Sequence, residues 1–230
     1  MRILIIIPAY NEAQNIKNVV DNLISKYPQY DYVIVNDGSS DNTADICRTN
    51  NYNFLDLPVN LGLAGAFQTG IKFAYRNGYD AAVQLDGDGQ HDPKYIRDMI
   101  NEMEICNADI VIGSRFKSKK QPLTTRMIGS RMINLAIRLT TGVKITDPTS
   151  GMRIYSKKML KEFANTMNYG PEPDTLSYLI RNGAKVSEVQ VEMRDRTAGE
   201  SYLTLAKSLR YMLHMVISII FIQWFRKREV

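Results

Sequence analysis

The sequence contains little cysteine, and the cysteine it has does not suggest a metal site. It has two cysteines, Cys47 and Cys106, which lie far apart and lack the paired spacing of zinc ligands. The amino-terminal run "MRILIII" stops at Pro8 without the small-residue cleavage site of a secretory signal peptide. These absences predict a reduced, cytosolic and unprocessed protein.

Two common nucleotide-binding motifs are also missing. No G-x-G-x-x-G follows the first apolar run, and no G-K-[ST] occurs, which excludes a dinucleotide fingerprint and a P-loop. The net charge of +5 is modest, and its clearest local excess, "WFRKREV", adjoins an apolar stretch rather than aromatics suited to base stacking. We therefore expect a membrane surface, and no nucleic acid, as a partner.

The sequence does contain a regular alternation of apolar runs of strand length with segments of helical period. Apolar residues from Ile16 to Ile24 and from Ile96 to Met103 recur at helical spacing, the second set after Pro93 with Asp92 as the expected cap. The strand-like runs are residues 3–7, 32–35, 54–57, 81–85 and 109–113. This order predicts an α/β protein with a mostly parallel sheet and right-handed crossovers.

Polar residues cluster where each apolar run ends. Ligands of open α/β sheets bind beyond the carboxyl ends of the strands, so we expect the chemistry in these loops. The loops read "PAYNE" (8–12), "NDGSSDNT" (36–43), "PVNLGLAGA" (58–66), "DGDGQHD" (86–92) and "GSRF" (113–116).

The acidic turn "DGDGQHD" begins like a calcium-binding loop but does not continue as one. His91 stands at the sixth position, where glycine is needed, and Arg97 at the twelfth, where a bidentate glutamate is needed. Asp86 and Asp88 are spaced so that two carboxylates can converge on one hard cation, beside glycines that let a ligand approach the backbone. The turn predicts Mg²⁺ or Mn²⁺ holding a diphosphate.

Seven ordered segments carry a wider resemblance. They are "IPAYNE", "VIVNDGSSDNT", "NLGLAGA", "QLDGDGQHDP", "IGSRF", "DPTSGMRIYSK" and "RTAGESY", and they cover about residues 3–202. Together they resemble family 2 glycosyltransferases, particularly the branch similar to dolichyl- and polyprenyl-phosphate sugar synthases. The resemblance implies a GT-A Rossmann-like fold, with a mostly parallel central sheet flanked by helices, over residues 1–203.

The resemblance implies a nucleoside pocket built from two of the loops. Pro8, Tyr10 and Glu12 match the segment that lines this pocket, with Tyr10 against the base and Glu12 near the ribose. Asp37 matches the acid that reads a base N–H. An aromatic face beside a carboxylate acceptor is chemically suited to binding a base.

The resemblance also implies a metal and diphosphate site in the acidic turn. Asp86, Asp88 and Gln90 match the family's D-x-D-x-Q set, with Gly87 between the two acids. The cation in such a site offsets the charge that builds on the departing nucleoside diphosphate.

Several arginines are expected to contact anions, because a guanidinium group matches phosphate oxygens. Arg115 lies in "GSRF", and Arg153 lies in a segment that faces the acceptor phosphate in the resembled branch. Arg196 and Ser201 match a further phosphate-contacting loop.

The choice of catalytic base stays open. We assign Asp88, Arg153, Glu172 and Asp174 as catalytic candidates, and either Glu172 or Asp174 can serve as the base. These two acids can equally be helix-capping residues around Pro173. An acceptor phosphate is already anionic at pH 7 and needs no base.

The carboxyl-terminal segment, residues 204–230, is predicted to form an amphipathic helix at a membrane surface. Its apolar run from Met212 to Phe225 has 14 residues, which span about 21 Å as a helix against roughly 30 Å of hydrocarbon. Basic residues flank the run, and Trp224 suits the interface. The alternative is a helix buried against the core or against another subunit.

These observations favour an inverting glycosyltransferase that moves a sugar from a nucleoside diphosphate sugar to a polyprenyl phosphate. UDP-sugar is the favoured donor and GDP-mannose the second choice. The expected location is the cytoplasmic side of the cell membrane, with peripheral attachment and a membrane partner protein or homo-oligomer as a further option. The alternatives are a soluble sugar-to-sugar transferase of polysaccharide assembly and a non-catalytic nucleotide-sugar binding module.

Overall fold

Seven strands form one central sheet. The structure, a computed structural model, describes residues 1–119, 121, 125–194 and 205–225. The strands are β1 (Ile3–Ala9), β2 (Asp31–Asn36), β3 (Phe54–Asp56), β4 (Ala81–Gln84), β5 (Ile110–Ser114), β6 (Arg153–Ser156) and β7 (Val186–Gln190). Their order is β3-β2-β1-β4-β6-β5-β7. β6 is antiparallel to β4 and β5, and the other pairings are parallel.

Helices cover both faces of the sheet. They are α1 (Ile16–Lys26), α2 (Thr43–Thr49), α3 (Gly62–Arg76), α4 (Ile96–Cys106), α5 (Thr125–Thr141), α6 (Lys157–Asn165), α7 (Pro173–Arg181) and α8 (Leu205–Ile220). Short 3₁₀ turns lie at Pro93–Tyr95 and Ile222–Phe225. The predicted cap at Asp92 is confirmed, because its Oδ1 accepts a hydrogen bond from the Lys94 N–H at 3.1 Å.

The five predicted strands are confirmed, and the packing of β1 explains why its own run is apolar throughout. Successive side chains of a strand point to opposite faces. Leu4 and Ile6 pack in one core cluster with α3, whereas Ile5 and Ile7 pack in a second cluster with α1 and α4. Both faces of β1 are therefore buried. The sequence patterns do not predict β6 and β7.

The predicted carboxyl-terminal helix is present as α8, and one side of it packs against α5 and α7. Met212, Met215 and Ile219 on that side belong to the same core cluster as Leu4. The alternative of a helix packed on the core is therefore correct for this side of α8. Within the described ranges, no helix combines the length and the hydropathy needed to cross a membrane.

The other side of α8 is apolar and exposed. Ser218 and Gln223 are buried, whereas Leu213, Ile217 and Phe221 are exposed by 55%, 42% and 61%. Ser218 Oγ donates to Oδ2 of Asp174 at 2.6 Å, and Gln223 Nε2 donates to Oγ of Ser177 at 3.2 Å. Ser218 and Gln223 thus face the protein, whereas Leu213, Ile217 and Phe221 face outward.

The docking of α8 on the core gives a stability prediction. Ile219 is fully buried and Ile217 is 42% exposed, although both lie on α8. We expect Ile219→Ala to lower the free energy of unfolding by about 2 to 5 kcal/mol, because the substitution leaves a cavity in the core. Ile217→Ala is the matched control and should change it little. Urea titration followed by circular dichroism compares them, and equal effects would contradict this packing of α8.

Candidate active site

The loops after β1, β2 and β4 meet at one edge of the sheet. Parallel pairing places Ala9 opposite Asn36, and Ile6 opposite Gln84. The Asp37 N–H donates to the carbonyl of Ala9 at 2.8 Å. The Glu12 N–H donates to Oγ1 of Thr43 at 2.9 Å. The carboxyl ends of these strands are therefore held together, as expected for a ligand site in an open α/β sheet.

A cavity of about 280 Å³ lies at this edge, and we call it the strand-end cavity. Its lining residues are Pro8, Ala9, Tyr10, Glu12, Asp37, Leu63, Ala66, Asp86, Gly87 and Asp88. The structure thus brings together all the residues that the resemblance implies for the nucleoside, and both acids of the D-x-D pair. Gln90 is not among these lining residues.

Asp37 is held by a close approach of two loops. Its side chain is buried, and Oδ1 accepts a hydrogen bond from the Leu61 N–H at 2.8 Å. Gly38 has a φ of +62°, and a Cβ there would lie 2.5 Å from the carbonyl carbon of Val59. Only glycine fits this contact. Gly38 therefore lets the loop before α3 orient the Asp37 carboxylate.

The carboxylate of Asp86 is positioned by its neighbours. The Asp86 N–H donates to Nδ1 of His91 at 3.0 Å, so in neutral His91 the proton is on Nε2. That Nε2 lies 3.6 Å from Oδ2 of Asp86. A Cβ at Gly151 would lie 3.1 Å from the same Oδ2. His91 and Gly151 thus confine the Asp86 carboxylate, whose side chain is 37% exposed.

The acidic turn fits a cation that a bound diphosphate completes. Among the described residues, no group of three or more His, Cys, Asp and Glu side chains could hold a metal ion. Asp86 and Asp88 do line the same cavity. Two carboxylates with phosphate oxygens and water are a normal Mg²⁺ ligand set. The predicted third ligand, Gln90, is not placed with them, because its Nε2 contacts the carbonyl of Arg194 at 3.4 Å.

A second cavity, of about 370 Å³, adjoins the first, and we call it the arginine cavity. Asp86 and Leu63 line both cavities. The other lining residues are Gln84, Arg115, Met127, Ser130, Thr149, Ser150, Gly151, Arg153, Pro171, Glu172, Pro173, Ser208, Tyr211 and Met212. The carboxylate of Asp86 therefore stands where the two cavities join.

Arg115 is fixed by a two-point ion pair. Its Nε and Nη2 each lie 2.7 Å from an oxygen of Asp147, which is fully buried. Burial acts to lower the pKa of Arg115, but the ion pair with Asp147 outweighs it and raises the pKa. The guanidinium stays charged, and its orientation in the arginine cavity is set by Asp147.

Arg153 is buried in the wall of the same cavity. Its Nε donates to the carbonyl of Ser150 at 2.9 Å, and Nη2 donates to the carbonyl of Pro148. Gln84 also lines the cavity, and its buried Oε1 accepts no hydrogen bond from a described residue. A buried polar atom without a partner is costly, so a ligand with a donor group would satisfy Gln84.

The two candidate bases differ in position. Glu172 lines the arginine cavity and accepts a hydrogen bond from the hydroxyl of Tyr211 on α8. Burial, followed by the charge of Glu172, raises the pKa of Tyr211, which keeps this donor protonated. Asp174 does not line the cavity. Its Oδ1 accepts from the Thr175 N–H at 2.7 Å, and its Oδ2 faces Ser218, so it stabilises the start of α7.

Two predicted site residues cannot be placed, and three site residues were not predicted. Arg196 and Ser201, which were predicted, lie outside the described residues. Sequence reasoning missed Gln84, Asp147 and Tyr211. Gln84 and Asp147 begin the motifs "QLDGDGQHDP" and "DPTSGMRIYSK", so membership in these motifs is the sequence signal that could have found them. Tyr211 had no sequence signal, because only the packing of α8 brings it to Glu172.

Comparison with known proteins shows which family the chain belongs to. The family model described as glycosyl transferase family 2 matches residues 4–164, and the chain belongs to this family. It is 31% identical over 217 residues to the undecaprenyl-phosphate mannosyltransferase of Micrococcus luteus, covering 89% of this chain and 88% of that one. It is 36% identical over 215 residues to the UDP-N-acetylglucosamine-dolichyl-phosphate N-acetylglucosaminyltransferase of Methanococcus voltae, covering 83% and 84%.

A solved structure supports the fold. Glucosyl-3-phosphoglycerate synthase of Mycobacterium tuberculosis, in complex with Mn²⁺, UDP and phosphoglyceric acid, is similar with a TM-score of 0.70. The sequence identity is 19%, and the match covers 96% of this chain and 78% of that one. The expected GT-A fold is confirmed.

The position of Asp86 gives a binding prediction. We expect Gly151→Ala to weaken Mn²⁺-dependent UDP or GDP binding by about 10- to 100-fold, the range seen when a residue that positions a metal ligand is changed. Asp86→Asn should weaken it further. Asp98→Asn removes an exposed carboxylate on α4 and is the charge control.

Calorimetric titration with and without chelator measures this effect, and a melting curve for each variant checks folding. Wild-type affinity in Asp86→Asn, or nucleotide binding that chelation does not reduce, would contradict the prediction that a cation binds at this site.

Proposed function

We propose that this family 2 glycosyltransferase moves a sugar from a nucleoside diphosphate sugar to a polyprenyl phosphate, with inversion at the anomeric carbon. The observation that carries the proposal is the shared position of Asp86. On one side of it lies a cavity suited to a nucleotide, and on the other lies a cavity lined by two arginines. A transferred sugar has to lie between its donor diphosphate and its acceptor, which is where Asp86 stands.

The strand-end cavity fits the donor. Tyr10 offers an aromatic face, Asp37 a buried carboxylate for a base N–H, and Glu12 an acceptor for ribose hydroxyls. Uracil and guanine both carry an N–H that Asp37 could bind. UDP-sugar is the favoured donor, because two similar proteins, the Methanococcus relative and the Mycobacterium synthase, have UDP in their names or complexes.

The acidic turn would hold Mg²⁺ or Mn²⁺ through Asp86 and Asp88. The cation supplies positive charge where negative charge collects on the departing diphosphate. The chain itself orients the two carboxylates: His91 and Gly151 confine Asp86, and the N–H of Gln90 donates to Oδ1 of Asp88 at 3.0 Å.

The arginine cavity fits a phosphate acceptor. Arg115 and Arg153 are both oriented by bonds within the protein, so a phosphate meets guanidinium groups that need little reordering. A phosphate oxygen attacks the anomeric carbon, a new C–O bond forms, and the bond to the diphosphate breaks with its electron pair leaving on the nucleotide. No proton has to be removed, because the attacking oxygen is already anionic.

A sugar-to-sugar transferase remains the second candidate, and Glu172 is the observation that favours it. A hydroxyl acceptor needs a base, and Glu172 is the candidate carboxylate that lines the arginine cavity. Its Oε2 already accepts a hydrogen bond from the Tyr211 hydroxyl, so this oxygen is occupied and less available to take a proton from an acceptor hydroxyl. This contact is the reason that we prefer the phosphate acceptor.

The proposed site of action is the cytoplasmic surface of a membrane, reached through α5 and α8. Neither 125–141 nor 205–225 contains Asp or Glu. We call their exposed side chains the apolar face: Ile128, Met132, Leu135, Leu139, Leu213, Ile217, Ile220, Phe221, Ile222 and Phe225. A large exposed apolar surface marks a protein or membrane contact, and the lack of acidic residues favours an anionic lipid surface.

Transfer assays test the reaction. Labelled UDP- and GDP-sugars are incubated with a short polyprenyl phosphate and Mn²⁺, and the product is extracted into solvent and its anomeric configuration is read by NMR. We expect lipid-linked product with inverted configuration. Transfer to a glycan in preference to the lipid phosphate would select the second candidate.

Arg153 separates donor binding from transfer. We expect Arg153→Lys to leave donor affinity within about twofold but to slow transfer about 10- to 100-fold, because a charged hydrogen bond to phosphate contributes about 1.5 to 3 kcal/mol. Arg76→Lys, an exposed position on α3, is the matched control. Donor affinity, turnover and melting temperature are measured for each variant. An equal loss of affinity and turnover would indicate that Arg153 contacts the donor rather than the acceptor phosphate.

The apolar face gives a prediction on membrane attachment. We expect the wild-type protein to float with anionic liposomes, and the double variant Leu139→Ser, Phe221→Ser to lose about tenfold or more of its partition, since each buried side chain contributes about 1.5 to 3 kcal/mol. Ile105→Ser on α4, where the side chain is 82% exposed, is the control. High salt should weaken attachment only in part, because apolar burial is not screened. A wild-type protein that ignores liposomes would overturn this attachment.

A further inference from the structure

A third cavity lies beside α5, outside the machinery described above. It has a volume of about 620 Å³, and we call it the α5 cavity. Its lining residues are Phe116, Lys119, Gln121, Arg131, Asn134, Leu135, Arg138, Lys144, Ile145 and Thr146. None of these residues lines the strand-end cavity or the arginine cavity. A ligand in the α5 cavity would therefore be distinct from donor and acceptor.

The charge of this cavity is positive and largely unpaired. Four of its lining residues are cations, and its described lining includes no Asp or Glu. Lys119 pairs with the exposed Glu192 at 2.6 Å. Within the described part of the chain, Arg131, Arg138 and Lys144 form no ion pair. Converging cations without acidic partners favour an anionic group such as phosphate.

Glu188 lies behind the cavity floor but is already satisfied. Its carboxylate accepts hydrogen bonds from the N–H groups of Thr146 and Asp147 and from the Thr146 hydroxyl. The side chain is buried and does not line the cavity. Its charge is therefore held by these donors rather than by the cavity's cations.

The floor of the cavity also offers an acceptor for a hydroxyl group. Gln121 Nε2 and Asn134 Nδ2 both donate to the carbonyl of Thr146, at 2.9 and 3.0 Å. The bond donated by Asn134 Nδ2 identifies the other end of its amide as the oxygen, Oδ1. That Oδ1 is buried and accepts no hydrogen bond from a described residue, so a ligand hydroxyl would satisfy it.

Apolar side chains complete the lining and connect the cavity with the lipid side. Phe116, Leu135 and Ile145 lie among the polar groups, and Leu135 also belongs to the apolar face. A molecule bound here therefore meets cations, a hydroxyl acceptor and apolar surface at once. A phospholipid headgroup with its first acyl carbons has this combination of groups.

We propose that the α5 cavity binds the headgroup of an anionic phospholipid that carries free hydroxyls, such as phosphatidylglycerol. The phosphate lies against Arg131, Arg138 and Lys144, and a headgroup hydroxyl donates to Asn134. The inference rests on the proposed membrane attachment and not on the transferase reaction. Such a site would select the lipid on which the apolar face rests.

The test uses a lipid that is monomeric in water, so that binding is measured without a membrane. Dihexanoyl-phosphatidylglycerol is titrated calorimetrically into the full chain, with no donor or acceptor present. We expect the double variant Arg138→Gln, Lys144→Gln to bind it at least about tenfold more weakly, because each charged hydrogen bond to phosphate contributes roughly that factor. The double variant Lys26→Gln, Lys161→Gln removes two exposed cations outside the cavity and should bind normally. Equal loss in both variants, or no binding by the wild type, overturns the site.

Further arms identify the source of the phosphate. Glycerol 3-phosphate, which lacks acyl chains, and dihexanoyl-phosphatidylcholine, which has no net charge and no free hydroxyl, should both bind about tenfold or more weaker than the anionic lipid. Leu135→Ser should weaken phosphatidylglycerol binding and leave glycerol 3-phosphate binding unchanged. Glycerol 3-phosphate binding as tight as that of the lipid would overturn the lipid and make this a site for a soluble phosphate. Because the assay contains no sugar donor, its result stands whether or not the proposed reaction is correct.

Discussion

The parallel pairing of β1 with β2 on one side and β4 on the other is the constraint on which the site depends. This register sets Ala9 opposite Asn36 and Ile6 opposite Gln84, so Tyr10, Asp37 and Asp86 follow their strands at the same edge. A slip of one residue would turn each side chain to the opposite face. The register is held by side chains such as Ile5 and Ile6, which are buried on opposite faces of the sheet.

Four of the five strands that could be predicted, β1, β2, β4 and β5, bury residues on both faces of the sheet, whereas the short β3 is only partly buried. β1 is a continuous apolar run and β4 is apolar up to Gln84, and such runs are distinctive in sequence. β6 reads "RIYS" and β7 reads "VSEVQ", and neither is an apolar run. β6 begins at a buried arginine that hydrogen-bonds to loop carbonyls, and β7 is only partly buried along most of its length. Their pairing is decided by tertiary contacts that a local pattern does not contain.

For the site, the sequence predicted which residues line the cavity better than it predicted which partners their side chains contact. Seven residues were predicted in the first and acidic loops, and all but Gln90 line one cavity. Asp37 lines the same cavity, because these motifs follow strands whose ends converge. Gln90 and Asp174 lie elsewhere because each is engaged by a distant segment: Gln90 by the backbone of Arg194, and Asp174 by Ser218 of α8. Spacing in a motif does not encode such partners. The Tyr211–Glu172 contact is of the same kind.

The residues that line the arginine cavity come from distant parts of the sequence. Leu63 and Gln84 lie in the first half of the chain, whereas Ser208, Tyr211 and Met212 lie on α8. Every lining residue of the strand-end cavity precedes residue 89. The segments that form the nucleotide pocket thus leave the ribosome well before the helix that closes the acceptor pocket. Because a domain generally folds as a unit and β4 pairs with the later β6, we expect both pockets to form together once α8 has been made.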